Sequence, residues 1–120
     1  MARTVLTVHE LDKRNTFCPT FTALTQAIDA AGGAEFAMEG QDDKYLLLIQ
    51  NAATTAKTVT VKAGNGLQGV CNLSCEVAAS GYTCLTPESG SFKNVSGDDK
   101  GKVIITGTDA NIKVAVFKLP

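Results

Sequence analysis

Along most of this chain apolar and polar residues alternate with the two-residue period of half-buried strands. The clearest stretch is Lys57-Thr58-Val59-Thr60-Val61-Lys62, with Val59 and Val61 on one face and Thr58, Thr60 and Lys62 on the other. Ile112 to Lys118 likewise puts Ile112, Val114 and Val116 on one face. Lys44 to Asn51 is different. Tyr45-Leu46-Leu47-Leu48-Ile49 is apolar at successive positions, as a central strand covered on both sides is, so it predicts the middle of the core. Further strands are predicted over Thr4–Val8, Ala34–Met38, Val70–Val77, Tyr82–Leu85, Gly90–Val95 and Lys102–Thr106. Short strands between regularly spaced turn signals are the pattern of a sandwich or barrel.

Two hairpins follow from the spacing. One joins 44–51 to 57–62, and the other joins 70–77 to 82–85 around Ala78-Ala79-Ser80-Gly81. Ala63 to Gly69 holds three glycines and Asn65, which predicts a loop. No Lys-Ser/Thr pair and no helical pattern follow it, so it lacks the parts of a phosphate cradle. The first third is less regular, and His9 to Asn15 is a mixed-charge stretch. Phe21, Leu24 and Ile28 at i, i+3 and i+7 predict one short helix over Thr22–Ala31, stopped by Gly32-Gly33. The alternative is a strand over Thr16–Thr22 and an irregular connection. The fold class is therefore all-β. It is a single immunoglobulin-like or related β-sandwich at 33–120, preceded by an N-terminal arm and irregular segment at 1–32.

Composition narrows the function. A chain of 120 residues is one domain, and 44% hydrophobic against 19% charged residues suits a folded core. The formal net charge of -1 argues against nucleic-acid binding, which needs a basic surplus. No apolar run approaches the roughly 20 residues that span a bilayer, and no secretory signal is visible after Met1.

His9 is the one histidine, which excludes a multi-histidine metal site within a subunit. Asp42-Asp43 and Asp98-Asp99 are each followed by a lysine and read as polar hairpin tips, not calcium loops. Glu76 and Glu88 have no visible acid partner for glycoside chemistry. Among Cys18, Cys71, Cys75 and Cys84, the predicted second hairpin sets Cys75 opposite Cys84. In the reducing compartment that a chain without an export signal occupies, these thiols are expected unbonded, as small buried hydrophobes. A zinc site, which would want spacings such as Cys-x2-Cys, is not expected. No cofactor, metal or catalytic residue is assigned, and an enzyme is the least expected class.

From about Gly33 onward five elements occur in an order that carries a resemblance. They are Glu35 to Gly40, Tyr45 to Asn51, Thr58 to Gly64, Glu88 to Asn94 and Ile112 to Pro120. In these the chain resembles small structural proteins encoded beside the major capsid gene in tailed bacteriophages, usually called decoration or cement proteins. The resemblance implies a β-sandwich bound to the major capsid protein on the outside of the mature head, as a trimer at threefold positions or singly at hexamer centres, without nucleic acid or membrane. Met1 to Gly32 departs from it. Within that segment Ala2, Arg3, Thr4, Val5, Leu6, Thr7, Val8 and Arg14 are the candidate capsid-binding residues, as an arm adding a strand to a capsid sheet. The alternative for Thr4–Val8 is an edge strand of the protein's own sandwich. Two other roles stand beside decoration: a tail, baseplate or head-joining structural protein, and a carbohydrate-binding sandwich on the virion. For the latter the chain offers no Trp and only Tyr45 and Tyr82.

Overall fold

The structure, a computed structural model, describes residues 3–11, 15, 17, 26–39, 44–67 and 69–120, the side chain of Ser89 apart. Its elements are β1 (Thr4–Val5), β2 (Val8–Glu10), β3 (Ala34–Ala37), β4 (Tyr45–Asn51), β5 (Lys57–Val61), β6 (Leu73–Val77), β7 (Tyr82–Leu85), α1 (Ser89–Phe92), β8 (Lys102–Gly107) and β9 (Ile112–Lys118). They form the expected all-β sandwich. Sheet A runs β1-β3-β8-β5-β6 and sheet B runs β2-β9-β4-β7. Counting β2 to β9 as one to eight, sheet B reads 1-8-3-6 and sheet A, after β1, reads 2-7-4-5, the strand order of a jelly roll. In an immunoglobulin sandwich the last two strands are neighbours, whereas here β8 and β9 lie in different sheets. The ladders β1–β3 and β2–β9 are parallel and the others antiparallel.

Alternation along each strand sets the inner face. Phe36, Val59, Val61, Val103 and Ile105 of sheet A meet Tyr45, Leu47, Ile49, Ile112, Val114 and Val116 of sheet B, all buried. The predicted faces of β5 and β9 are therefore the buried ones. Strand β4 is central in its sheet, with seven residues paired to β9 and four to β7, but it is not covered on both sides as predicted. Tyr45, Leu47, Ile49 and Asn51 are buried, while Leu46, Leu48 and Gln50 on the outer face are half-buried. Tyr45 packs its ring 5.8 Å from that of Phe36, and its hydroxyl donates to Glu39 O at 2.9 Å while accepting from Glu39 N.

Most strand positions were legible, Gly90–Val95 excepted, but several pairings were not. Strands β4 and β5 do not form a hairpin; the connection 52–56 crosses from sheet B to sheet A. Nor do β6 and β7 pair: β6 lies beside β5 and β7 beside β4. Both crossings turn on Asn51, which is fully buried at the end of β4. Its amide donates to Thr55 O (2.9 Å), Val77 O (3.0 Å) and Ala78 O (3.3 Å), and its Oδ1 accepts from Ala53 N (2.9 Å). One side chain thus ties the 52–56 arch to the 78–81 arch.

The predicted strand over Gly90–Val95 is instead the single helical turn α1 and a segment bound to the start of β8. Asn94 donates through both its main-chain N and its Nδ2 to Lys102 O, and Phe92 packs on the core. Over its described part the helix predicted at Thr22–Ala31 is absent. Ile28 N donates to Ile112 O and Val114 N to Gln26 O, so Gln26–Ile28 lies extended beside β9. A turn closed by reciprocal Asp29–Gly33 bonds follows. Gly33 has φ +82°, and a Cβ there would strike the main-chain oxygen of Ile105, so this turn requires glycine. Residues 22–25, and the alternative strand over 16–22 apart from Phe17, lie outside the described residues.

Candidate interaction surface

The two edges of the sandwich are finished differently. On one side, residues 4–10 change sheets: β1 pairs with β3, then β2 pairs with β9. Leu6 lies at the crossing, 4% exposed, and its N donates to Glu35 O at 2.8 Å. Two of the outer main-chain groups here are already used. Gln26 Oε1 accepts from Thr7 N (2.8 Å), and Gln26 Nε2 donates to Val5 O (3.3 Å).

Thr4–Val8 therefore belongs to the protein's own sandwich, and the free-arm reading is corrected. The segment is divided between β1 at the edge of sheet A and β2 at the edge of sheet B instead of forming the one edge strand of the alternative. Over their described part, residues 1–32 do not lie apart from the sandwich: β1 and β2 pair in its sheets and Gln26–Ile28 lies beside β9. Of the candidate residues, Leu6 is in the core, Thr4 Oγ1 donates to Ala27 O (2.9 Å), and only Val5, at 69%, is an exposed large apolar side chain. Arg3 Nη1 donates to Asp99 Oδ1 (3.0 Å) and Glu35 Oε1 (3.2 Å), and Lys102 Nζ to Glu35 Oε2 (2.9 Å). The hydrogen bond to Asp99 is the largest influence on Arg3 and pushes its pKa up, against a smaller desolvation effect, with Glu35 adding to the rise. Ala2 and Arg14 lie outside the described residues.

The opposite side is open. Strand β6 ends sheet A and β7 ends sheet B, and among the described residues no strand joins them across the gap. Paired side chains in a ladder share a face, so Leu73, Cys75 and Val77 of β6, opposite Val61, Val59 and Lys57, all point inward. Only Val77 is buried. Leu73 is 45% exposed, and Cys75 is also exposed. Between the sheets here lies an apolar cleft of about 190 Å³, with Ile49, Val59, Val61, Leu73, Cys75 and Leu85 in its lining.

Beside this cleft a tight loop presents an apolar corner. Gly64 N donates to Ser91 O (2.9 Å), Asn65 Oδ1 accepts from Val95 N (2.7 Å) and Asn65 Nδ2 donates to Ser96 O (2.9 Å). A Cβ on Gly64 would strike the main-chain oxygen of Lys93, so close seating of the loop depends on glycine. Fixed in this way, the loop region leaves Leu67 fully exposed and Val70 and Val95 exposed at 85% and 55%. Sequence reasoning missed these residues. The available signal was Leu67 between Gly66 and Gly69, an apolar side chain in a turn with no periodic partner.

Remaining candidates do not converge on chemistry. Cys71, Cys75 and Cys84 are unbonded and exposed, which corrects their reading as buried hydrophobes; Cys18 is outside the described residues. Cys75 pairs with Val59 and Cys84 with Leu48 on the other sheet, so the hairpin that would have apposed them does not exist. His9 stacks at 5.5 Å on Phe117 in the β2–β9 pair. Asp99 engages Arg3, while Asp42 and Asp43 are outside the described residues. Among the described residues no three His, Cys, Asp or Glu side chains form a group that could hold a metal ion. Comparison with protein-family models, with curated proteins and with solved structures finds no match. The fold and the surface together define a β-sandwich with one sealed edge and one open, apolar edge.

Proposed function

We propose that the protein is a decoration or cement protein of a tailed bacteriophage. It binds the major capsid protein on the outside of the assembled head and stabilises the shell without catalysing a reaction. The observation that carries this reading is the apolar corner of Leu67, Val70 and Val95, held on a loop fixed by main-chain and asparagine hydrogen bonds. Preorganised apolar groups at a surface are what a passive attachment needs, since little ordering entropy is lost on binding. The ordered resemblance over residues 33–120 supplies the kind of partner. Fold alone would not, because sandwiches of this kind host unrelated functions.

A protein that binds the intact shell and not its separated parts stabilises it by mass action, by about 2.7 kcal/mol per site at a hundredfold excess over the dissociation constant. Purified mature heads test the reading directly. The protein should co-sediment with them and raise the temperature at which they release DNA. A Leu67→Ser, Val70→Ser, Val95→Ser variant should keep its own unfolding midpoint and lose both effects. Heads that neither take up the protein nor gain heat resistance would overturn the proposal.

A further inference from the structure

Strand β6 has the properties of half an interface. It is an edge strand with no Lys, Pro or bulge to discourage pairing, and two of its three inward-facing side chains are left uncovered. The charges beside it are asymmetric. On the outer face of sheet A, the β5–β6 register sets Glu76 opposite Thr58 near one end of β6. Lys62, one residue past the Val61–Leu73 pair, lies beside the other end. Both are exposed, and neither forms an ion pair with a described residue.

We propose that β6 pairs antiparallel with β6 of a second copy of this chain, about a twofold axis at Cys75. In this register Leu73 faces Val77 of the second copy, Ser74 faces Glu76, and Cys75 faces Cys75. Overlap is complete over the five residues of the strand, and no like charges meet. Charge selects the direction. Antiparallel pairing sets Lys62 of each copy diagonally across the seam from Glu76 of the other. The separation is two strand spacings (about 10 Å) laterally and two residues (about 7 Å) along the strands, about 12 Å in all, a gap two long side chains can span. In-register parallel pairing would set Glu76 beside Glu76. The inward-facing Leu73 and Val77 then cover each other across the seam and close the cleft mouth. A twofold contact of this kind is self-complementary and ends at a dimer, so the exposed edge does not propagate into a fibre. With only five residues in the seam the association is weak and concentration-dependent. It is independent of the capsid reading, since the corner residues are not used.

Sedimentation equilibrium of the full chain across a wide concentration range should show a monomer–dimer equilibrium. Glu76→Lys or Lys62→Glu alone should weaken association by about tenfold, from two lost ion pairs and two like-charge contacts, and the double variant should restore it. A chain retaining Cys75 as its one cysteine (Cys18→Ser, Cys71→Ser, Cys84→Ser) should form a disulfide dimer when treated with diamide. Two thiols then give up two electrons and two protons to the diazene, which becomes a hydrazine. Directly opposed residues lie about 4.5 to 5.5 Å apart in Cα, within disulfide reach. A chain retaining Cys84 alone should cross-link far less. A monomer at every concentration, equal cross-linking through Cys84, or failure of the double charge exchange to restore association would each overturn the proposal.

Discussion

Asn51 shows how much one polar side chain decides here. Without it the N–H of Ala53 and the carbonyl of Val77 lose this partner in buried surroundings, and Thr55 O loses it at a part-buried position, while Ala78 O keeps its bond from Gly81 N. Buried groups left in that state cost about 1–3 kcal/mol each. Asn51→Ala should therefore lower unfolding free energy by several times the effect of an exposed asparagine change such as Asn111→Ala, measured by urea denaturation. Asp109 sets a pH dependence. The main-chain N–H of Asn111 first, and Lys57 at 3.0 Å second, hold its carboxyl below the ordinary value of 3.8. A depressed folded-state value contributes stability that is fully present above pH 3.8 and is lost as pH falls through the lower folded value. Asp109→Ala should thus be less stable than the parent at neutral pH, and the difference should shrink below about pH 4. A thermal melt series in pH reads both ends.

Among the elements, the N-terminal strand has the clearest consequence. It bonds to both sheets, places Leu6 between them, and brings Arg3 to the Glu35, Lys102 and Asp99 cluster. Deleting residues 1–10 removes an edge from each sheet at once, so the truncated chain should lose cooperative unfolding in calorimetry. A detachable arm would have left the midpoint unchanged. Leu6→Ala, a milder change at the same crossing, should cost about 2–5 kcal/mol by cavity formation. The open edge responds in the opposite sense. Leu73 is 45% exposed, so Leu73→Ala in dilute, monomeric protein should cost far less than Leu6→Ala. The same substitution should weaken self-association at high concentration.

At the scale of the whole molecule, the proposed attachment to a shell through an apolar corner, with near-balanced charge, predicts insensitivity to salt. Head binding measured between low and moderate ionic strength should change little, whereas attachment through charges would fall steeply. The molecule is only 22 Å thick, so both sheets lie close to solvent.

Strand location and facing were written in the sequence because the two-residue period is a local property. Val59 and Val61, and Ile112, Val114 and Val116, lie on one face by covalent geometry alone, and the consecutive apolar run in β4 announced a central strand. Neighbour choice is not local. Lys57 to Lys62 would satisfy its pattern beside any strand offering an apolar inner face. Partnership with β6 and β8, not β4, was decided by where Asn51 holds the two arches and by the seven-residue ladder that β9 offers β4. The candidate surface was hidden for the same reason. Exposure of Leu67, Val70, Leu73 and Val95 depends on which strands end the sheets, and that is a consequence of the complete topology. The sequence by itself determined where the clearly periodic strands lie and which of their faces is apolar, as in β5 and β9, since those follow from backbone geometry and side-chain transfer to a dry interior. It did not tell the helical turn at Ser89–Phe92 from a strand. Only the tertiary structure decided which strands pair, that residues 4–10 close one edge, and that β6 and β7 leave the other open, because long-range contacts choose among arrangements that local pattern leaves equal.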